Sequence, residues 1–188
     1  MDYKIILASN SPRRKELLAG LGIDFEVKVI SGIDESYPDN IPVEKVAEYI
    51  ASQKAIPYYS MILSNELVIT ADTVVVCDDE IFGKPNNDDD AYRMLRQLSG
   101  KTHHVITGVC MTSKEKQRIF SVTTEVSFKE LSDEEINYYI KHEHPMDKAG
   151  AYGIQEWIGY IGCVGLKGSY YNVMGLPVQR IYEELKLF

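Results

Sequence analysis

Charged residues interrupt this chain where its apolar pattern has no use for them. Asp72 lies inside a run that is apolar on both sides, with Leu67-Val68-Ile69-Thr70-Ala71 before it and Val74-Val75-Val76 after it. A carboxylate in such a strand is costly to desolvate unless it is paired, hydrogen-bonded or bound to metal. The β-branched flanks indicate a central strand, so Asp72 is expected to face a cleft or sit at a kink; a turn cap shared with Thr73 is the structural alternative. Two further acidic sites sit in loop-like stretches: Asp34-Glu35, and Asp147 ahead of Lys148-Ala149-Gly150. Paired carboxylates of this kind can hold Mg²⁺, which typically takes one or two carboxylates and completes its shell with substrate phosphates. A carboxylate beside such an ion can also take a proton from water.

The cations point the same way. The run Ala8-Ser9-Asn10-Ser11-Pro12-Arg13-Arg14-Lys15 leaves an apolar strand and enters a helix. Ser11 fits the N-cap and Pro12 the first helical position. Arg13 and Arg14 then fall in the first turn, where the helix dipole favours negative charge. Cations are tolerable there if an anion sits at the helix start, met by backbone N–H groups, hydroxyls and guanidinium groups. An exposed basic turn is the bland alternative. Lys54, late in a helix, and Lys84, in the turn Phe82-Gly83-Lys84-Pro85, are each weak signals alone. Together, hydroxyls, cations and carboxylates suggest metal-assisted hydrolysis of a phosphoanhydride.

Other chemistries lack their patterns. No G-x-x-x-x-G-K-[ST], G-x-G-x-x-G or G-x-S-x-G occurs. His103, His104, His142 and His144 fit no standard zinc spacing and read as structural. Cys77, Cys110 and Cys163 are far apart and odd in number, so buried free thiols are expected. A formal charge of −8 argues against nonspecific nucleic-acid binding, which needs broad positive surface. No apolar run approaches a membrane span, and the short N-terminal run leaves no room for a leader. A cytoplasmic protein is the expectation.

The elements that must position these groups alternate along the chain. Strands are expected at about 4–8, 25–29 and 67–77, with helices at about 12–21, 42–57 and from 88 to near 100. A long hairpin follows, about 103–112 and 118–129, turning at Ser113 to Lys116. Ser132 and Glu135 form a capping box that opens a helix to about 141. The Gly-rich segment 150–168 reads as short β runs, and a last helix starts near Pro177. This order indicates a mixed α/β fold, one domain over 1–188 without a separable linker.

In this setting the chain closely resembles the Maf-like nucleoside triphosphate pyrophosphatases, also called septum-formation-inhibitor proteins. The resemblance spans essentially the whole chain, in register. It rests on Leu7-Ala8-Ser9-Asn10-Ser11-Pro12-Arg13-Arg14, Ile33-Asp34-Glu35, Gln53-Lys54-Ala55, Ala71-Asp72-Thr73-Val74-Val75, Gly83-Lys84-Pro85 and Leu98-Ser99-Gly100. It continues through Thr107-Gly108-Val109, Asp147 to Gln155, Gly168-Ser169-Tyr170 and Gly175-Leu176-Pro177.

The resemblance implies a mixed elongated sheet with flanking helices forming two lobes around a cleft, as in the inosine triphosphate pyrophosphatases. It implies hydrolysis of a nucleoside triphosphate to the monophosphate and pyrophosphate with Mg²⁺ or Mn²⁺, and possible homodimers. Asp72 would activate water and Glu35 would help hold the metal. Ser9, Arg14, Lys54 and Lys84 would line the phosphate site, while Arg13, Thr73 and Gln155 would set substrate choice. Arg13, Lys54 and Gln155 resemble the branch acting on dTTP and UTP, with modified pyrimidine triphosphates as further substrates. A glutamine amide both donates and accepts, which suits a uracil or thymine edge. The alternative is a non-catalytic nucleotide- or nucleic-acid-binding regulator of cell division. Two departures stand out: Asn10 replaces a commonly small residue, and Glu156-Trp157-Ile158-Gly159-Tyr160 follows Gln155 where many relatives continue with glycine. Trp157 is expected to pack or to form an interface rather than to stack on a base.

Overall fold

A computed structural model describes residues 3–188; Met1 and Asp2, part of the N-terminal run read above, lie outside the described residues. The chain builds a mixed α/β fold. Its strands are β1 (Lys4–Leu7), β2 (Phe25–Val27), β3 (Glu66–Cys77), β4 (Glu80–Phe82), β5 (Thr102–Thr112), β6 (Gln117–Phe128) and β7 (Cys163–Lys167). Its helices are α1 (Pro12–Ala19), α2 (Val46–Ala55), α3 (Asp88–Leu98), α4 (Asp133–Glu143), α5 (Trp157–Gly162), α6 (Tyr170–Met174) and α7 (Val178–Leu185). The strands form one sheet in the order β2-β1-β3-β5-β6-β7, with β4 paired to β3. β1 runs parallel to both β2 and β3, while β3–β4 and β6–β7 are antiparallel.

By internal contacts the chain forms two compact units, neither of them a continuous stretch. The first comprises Met1–Asp72, Thr107–Val122 and Gly175–Phe188; the second comprises Thr73–Ile106 and Thr123–Met174. In the first unit, α2 lies against the sheet through small residues. Ala51 and Ala55 pack with Cys110 of β5. A Cβ added at Gly108 would stand 2.2 Å from the backbone carbon of Ala47, so only glycine permits this approach. The Thr70 hydroxyl of β3 donates to the Ala51 carbonyl at 2.7 Å and fixes the helix lengthwise.

The second unit has its own apolar core, with Val75, Phe82, Leu95, Leu98, Val126, Phe128, Tyr139 and Ile158 among its buried members. The Ser132–Glu135 capping box forms as expected. Asp78 and Asp79 both take positive φ, which suits a tight hairpin turn between β3 and β4. Asp78-Asp79-Glu80 reads as a turn in the sequence, while Glu80 in fact opens the three-residue β4, which the sequence does not mark. The Gly-rich segment differs more. Residues 149–151 form a 3₁₀ turn and residues 157–162 form α5, so only 163–167 is strand. Its glycines serve close approach instead of strand turns: a Cβ at Gly159 would lie 1.9 Å from the Ile154 carbonyl oxygen. Trp157 packs against the core and, tilted, against Tyr138. His142 and His144 lie exposed at the end of α4, and all three cysteines are free thiols.

Candidate active site

The first unit gathers most of the charged residues singled out above. Ser11 caps α1 by accepting from the Arg14 amide at 3.4 Å, with Pro12 opening the helix. The buried Ser9 hydroxyl accepts from the Ser11 amide at 3.2 Å, so both serines shape the loop. No acidic residue occupies the first turn of α1, and Arg13 and Arg14 stand there half-buried. Arg14 donates through Nε to the Gly175 carbonyl and through Nη1 to the Ala71 carbonyl, each at 2.8 Å. These bonds fasten the helix start to β3 one residue ahead of Asp72. Burial lowers the Arg14 pKa; the nearby Asp72 carboxylate opposes that shift, Arg13 adds to it, and Glu35 opposes it. The guanidinium stays charged at neutral pH.

Asp72 and Thr73 are the only half-buried positions in a strand otherwise buried throughout. The Lys54 ammonium, near the end of α2, donates to Asp72 Oδ1 at 2.7 Å. It also reaches Glu35 Oε1 at 3.1 Å, bridging the two carboxylates. The packing of α2 at Gly108 and Thr70 therefore sets where Lys54 ends. Glu35 is placed by its neighbour. The Asp34 carboxylate accepts from the Ser36 amide at 2.9 Å and from its hydroxyl at 2.8 Å, and these bonds lower its pKa. Of the expected pair, Asp34 thus builds the turn and Glu35 carries the charge inward.

The donor set suits a divalent cation bound mainly through substrate. Two carboxylates already share one positive group. Among the described residues no cluster of three or more His, Cys, Asp or Glu could hold a metal. Asp72 and Glu35 offer hard oxygens, and phosphates would complete the shell, the usual arrangement for Mg²⁺.

The second unit carries Thr73, Lys84 and Gln155. Thr73 is half-buried, directly after Asp72 on β3. Lys84 is exposed in the turn after β4. That turn is anchored where the Gly150 amide donates to the Gly83 carbonyl at 3.0 Å. Gly150 itself needs φ near 68° and presses against the Val75 side chain. No hydrogen bond or ion pair joins Lys84 to Gln155 among the described residues. The Gln155 Oε1 atom is buried and has no hydrogen-bond partner.

One cluster escaped the sequence reading. Lys148, almost wholly buried, pairs with Asp147 at 2.8 Å and with Glu156 Oε1 at 2.9 Å. The Tyr139 hydroxyl donates to Glu156 Oε2 and accepts from the Gly153 amide at 2.9 Å. Burial and the Glu156 carboxylate push the Tyr139 phenol well above its ordinary range, which keeps it a donor. Lys148 was visible only as part of a motif. Tyr139 reads as an ordinary core position of α4, so nothing local announced the network.

A family model described as Maf-like protein matches residues 4–188. The chain belongs to the Maf-like family. It is 64% identical over 184 residues to a Phocaeicola vulgatus protein named dTTP/UTP pyrophosphatase, covering 98% of this chain and 95% of that one. Proteins with the same name from Parabacteroides distasonis and Bacteroides fragilis are 59% and 56% identical, with 99% and 98% of this chain covered and 96% and 95% of theirs. Among solved structures, the Staphylococcus aureus Ham1 protein shares the fold, with a TM-score of 0.53 at 16% identity over 97% of this chain and 99% of that one. Three glycines of the family motifs serve as scaffold. Gly108 admits α2, Gly150 locks a loop, and the Gly175 carbonyl holds Arg14.

Proposed function

We propose that this protein hydrolyses dTTP and UTP to the monophosphate and pyrophosphate. The observation that carries the reading is Asp72, a half-buried carboxylate in a buried strand, bridged by Lys54 to Glu35 with Arg14 fixed beside it. The names of the close relatives support the same reaction and favour it over a binding regulator without turnover.

In this reading Asp72 takes a proton from a water molecule while the water oxygen attacks the α-phosphorus. The bond from the α-phosphorus to the α–β bridging oxygen breaks, and its electron pair leaves with pyrophosphate. Asp72 and Glu35 would hold Mg²⁺ or Mn²⁺, which supplies positive charge to the triphosphate and its leaving group. Lys54, Arg14 and Lys84 add fixed positive charge where negative charge grows, and Ser9 holds the loop ahead of α1. Arg13, Thr73 and Gln155 set substrate choice. The Gln155 Oε1, an acceptor lacking a donor, suits the ring N–H shared by uracil and thymine. A cytoplasmic location fits a nucleotide-pool substrate, and no helix among the described residues is long and apolar enough to cross a membrane.

A panel of nucleoside triphosphates with Mg²⁺, scored separately for pyrophosphate and phosphate, tests the reading. Monophosphate and pyrophosphate from dTTP and UTP are expected. Diphosphate and inorganic phosphate as the main products, or no turnover, would overturn it.

A further inference from the structure

The buried Gln155 acceptor poses a physical question. A buried polar atom left without a partner costs about 1–3 kcal/mol, and an amide on a yielding backbone would turn to relieve it. Something must hold the segment still, and the structure shows what does. The Glu156 amide donates to the Gly153 carbonyl at 3.0 Å, closing a turn with Gln155 inside it. Both ends of that turn then meet on one group: the Gly153 amide and the Glu156 carboxylate both bond the Tyr139 hydroxyl. Lys148 fixes the second carboxylate oxygen. Glu156 occupies the N-cap position of α5, yet its side chain makes no capping bond there. It curls back over Gly153 instead, where a Cβ would lie 2.6 Å from its carboxyl carbon. Two amides of α5, those of Gly159 and Tyr160, donate to the Glu156 carbonyl and hold the far side.

From this geometry we infer that Glu156 is a positioning residue for substrate choice: clasped by Lys148 and Tyr139, it sets the Gly153–Glu156 turn and so the placement of the Gln155 amide. The inference rests on the proposed role of Gln155 in reading the pyrimidine edge. Glu156 itself touches no reacting atom. Its carboxylate converts the burial of Lys148 and Tyr139 into rigidity at the residue before it.

The test compares Glu156→Gln, Lys148→Arg and wild type, each at a temperature where all are folded by circular dichroism. Glu156→Gln is expected to raise KM for UTP and dTTP about tenfold with kcat changed less than about threefold, since one oriented hydrogen bond is at stake. The preference for UTP over GTP should fall by a similar factor. Lys148→Arg keeps the charge on Glu156 and should retain most of that preference. Unchanged KM and base ranking in folded Glu156→Gln would overturn the inference. A second readout does not depend on turnover. The ¹⁵N side-chain amide signal of Gln155, assigned by its loss in Gln155→Ala, should shift or broaden in Glu156→Gln. An unmoved signal overturns the positioning claim. Wild type that makes no pyrophosphate from UTP defeats the proposed reaction instead, while the amide signal still reports on Glu156.

Discussion

Among the described residues three lysines, Lys28, Lys54 and Lys148, each bridge two carboxylates, and the last two are alike in outline. Lys54 holds Asp72 at 2.7 Å and Glu35 at 3.1 Å; Lys148 holds Asp147 at 2.8 Å and Glu156 at 2.9 Å. In each, one carboxylate is more than half exposed, Glu35 at 51% and Asp147 at 57%, and the other is largely covered. The difference lies in what surrounds the covered carboxylate. Glu156 gives its second oxygen to a buried tyrosine that is itself bonded to backbone. Asp72 has Lys54 as its hydrogen-bonding side chain and lies at the one half-open step of its strand. A carboxylate with both oxygens held by buried donors holds structure. One paired to a lysine at one oxygen is placed to exchange that partner for water, metal or phosphate.

Substitution separates the two most sharply at the covered carboxylate of the first pair. Asp72→Asn keeps size and polarity and removes the proposed base. It is expected to lower kcat by about 10²–10⁴ while leaving the melting temperature nearly unchanged. Near-normal turnover would remove Asp72 as the proton acceptor. The matching change in the second pair is Lys148→Met, which leaves Glu156 without its buried counter-ion. Breaking a buried pair from one side costs roughly 3–5 kcal/mol, and the residual exposure of Glu156 places this case near the lower figure. For a chain of this length that corresponds to a fall in melting temperature of roughly 6–12 °C. If Lys148→Met melts like wild type while Asp72→Asn is strongly destabilised, the assignment of the two clusters is reversed.

The contrast also explains what the sequence could disclose. Asp72 was legible because a charge inside a β-branched run breaks a pattern, and Ser11-Pro12-Arg13-Arg14 because it opposes the helix dipole. Both are violations of local rules, as expected of functional sites. Glu156 breaks no rule. It stands out only as a departure from the glycine common in relatives, and its partners lie on α4 and in the 147–148 loop. Long-range partnership of that kind has no signature in spacing. The Gly-rich segment misled for a related reason. The segment reads as short β runs, whereas Gly159 lets α5 pack onto Ile154 and Gly162 lies against Leu131. Periodicity sees the residue type but not the neighbour that requires it.

A smaller effect sharpens the same comparison, because the second unit also buries a titratable group with no counter-ion. His103 is fully buried on β5, with Nε2 bonded to the Tyr152 hydroxyl at 2.7 Å and its ring edge-on to Phe128 and Tyr152. Its Nδ1 has no partner. Burial, aided slightly by His104, lowers its pKa from 6.5 to about 4. The neutral ring is therefore the folded form, and the unfolded chain binds the extra proton as pH falls below 6.5. Stability from this residue is complete above that value and is lost progressively toward pH 4. Linkage gives a loss of about 2 kcal/mol between pH 7 and pH 5, a range in which most carboxylates remain ionised. Urea unfolding at the two pH values should show that loss in wild type. His103→Gln, which keeps a polar contact to Tyr152 but cannot titrate, should show little of it. An equal loss in the variant would move the acid sensitivity away from this buried ring.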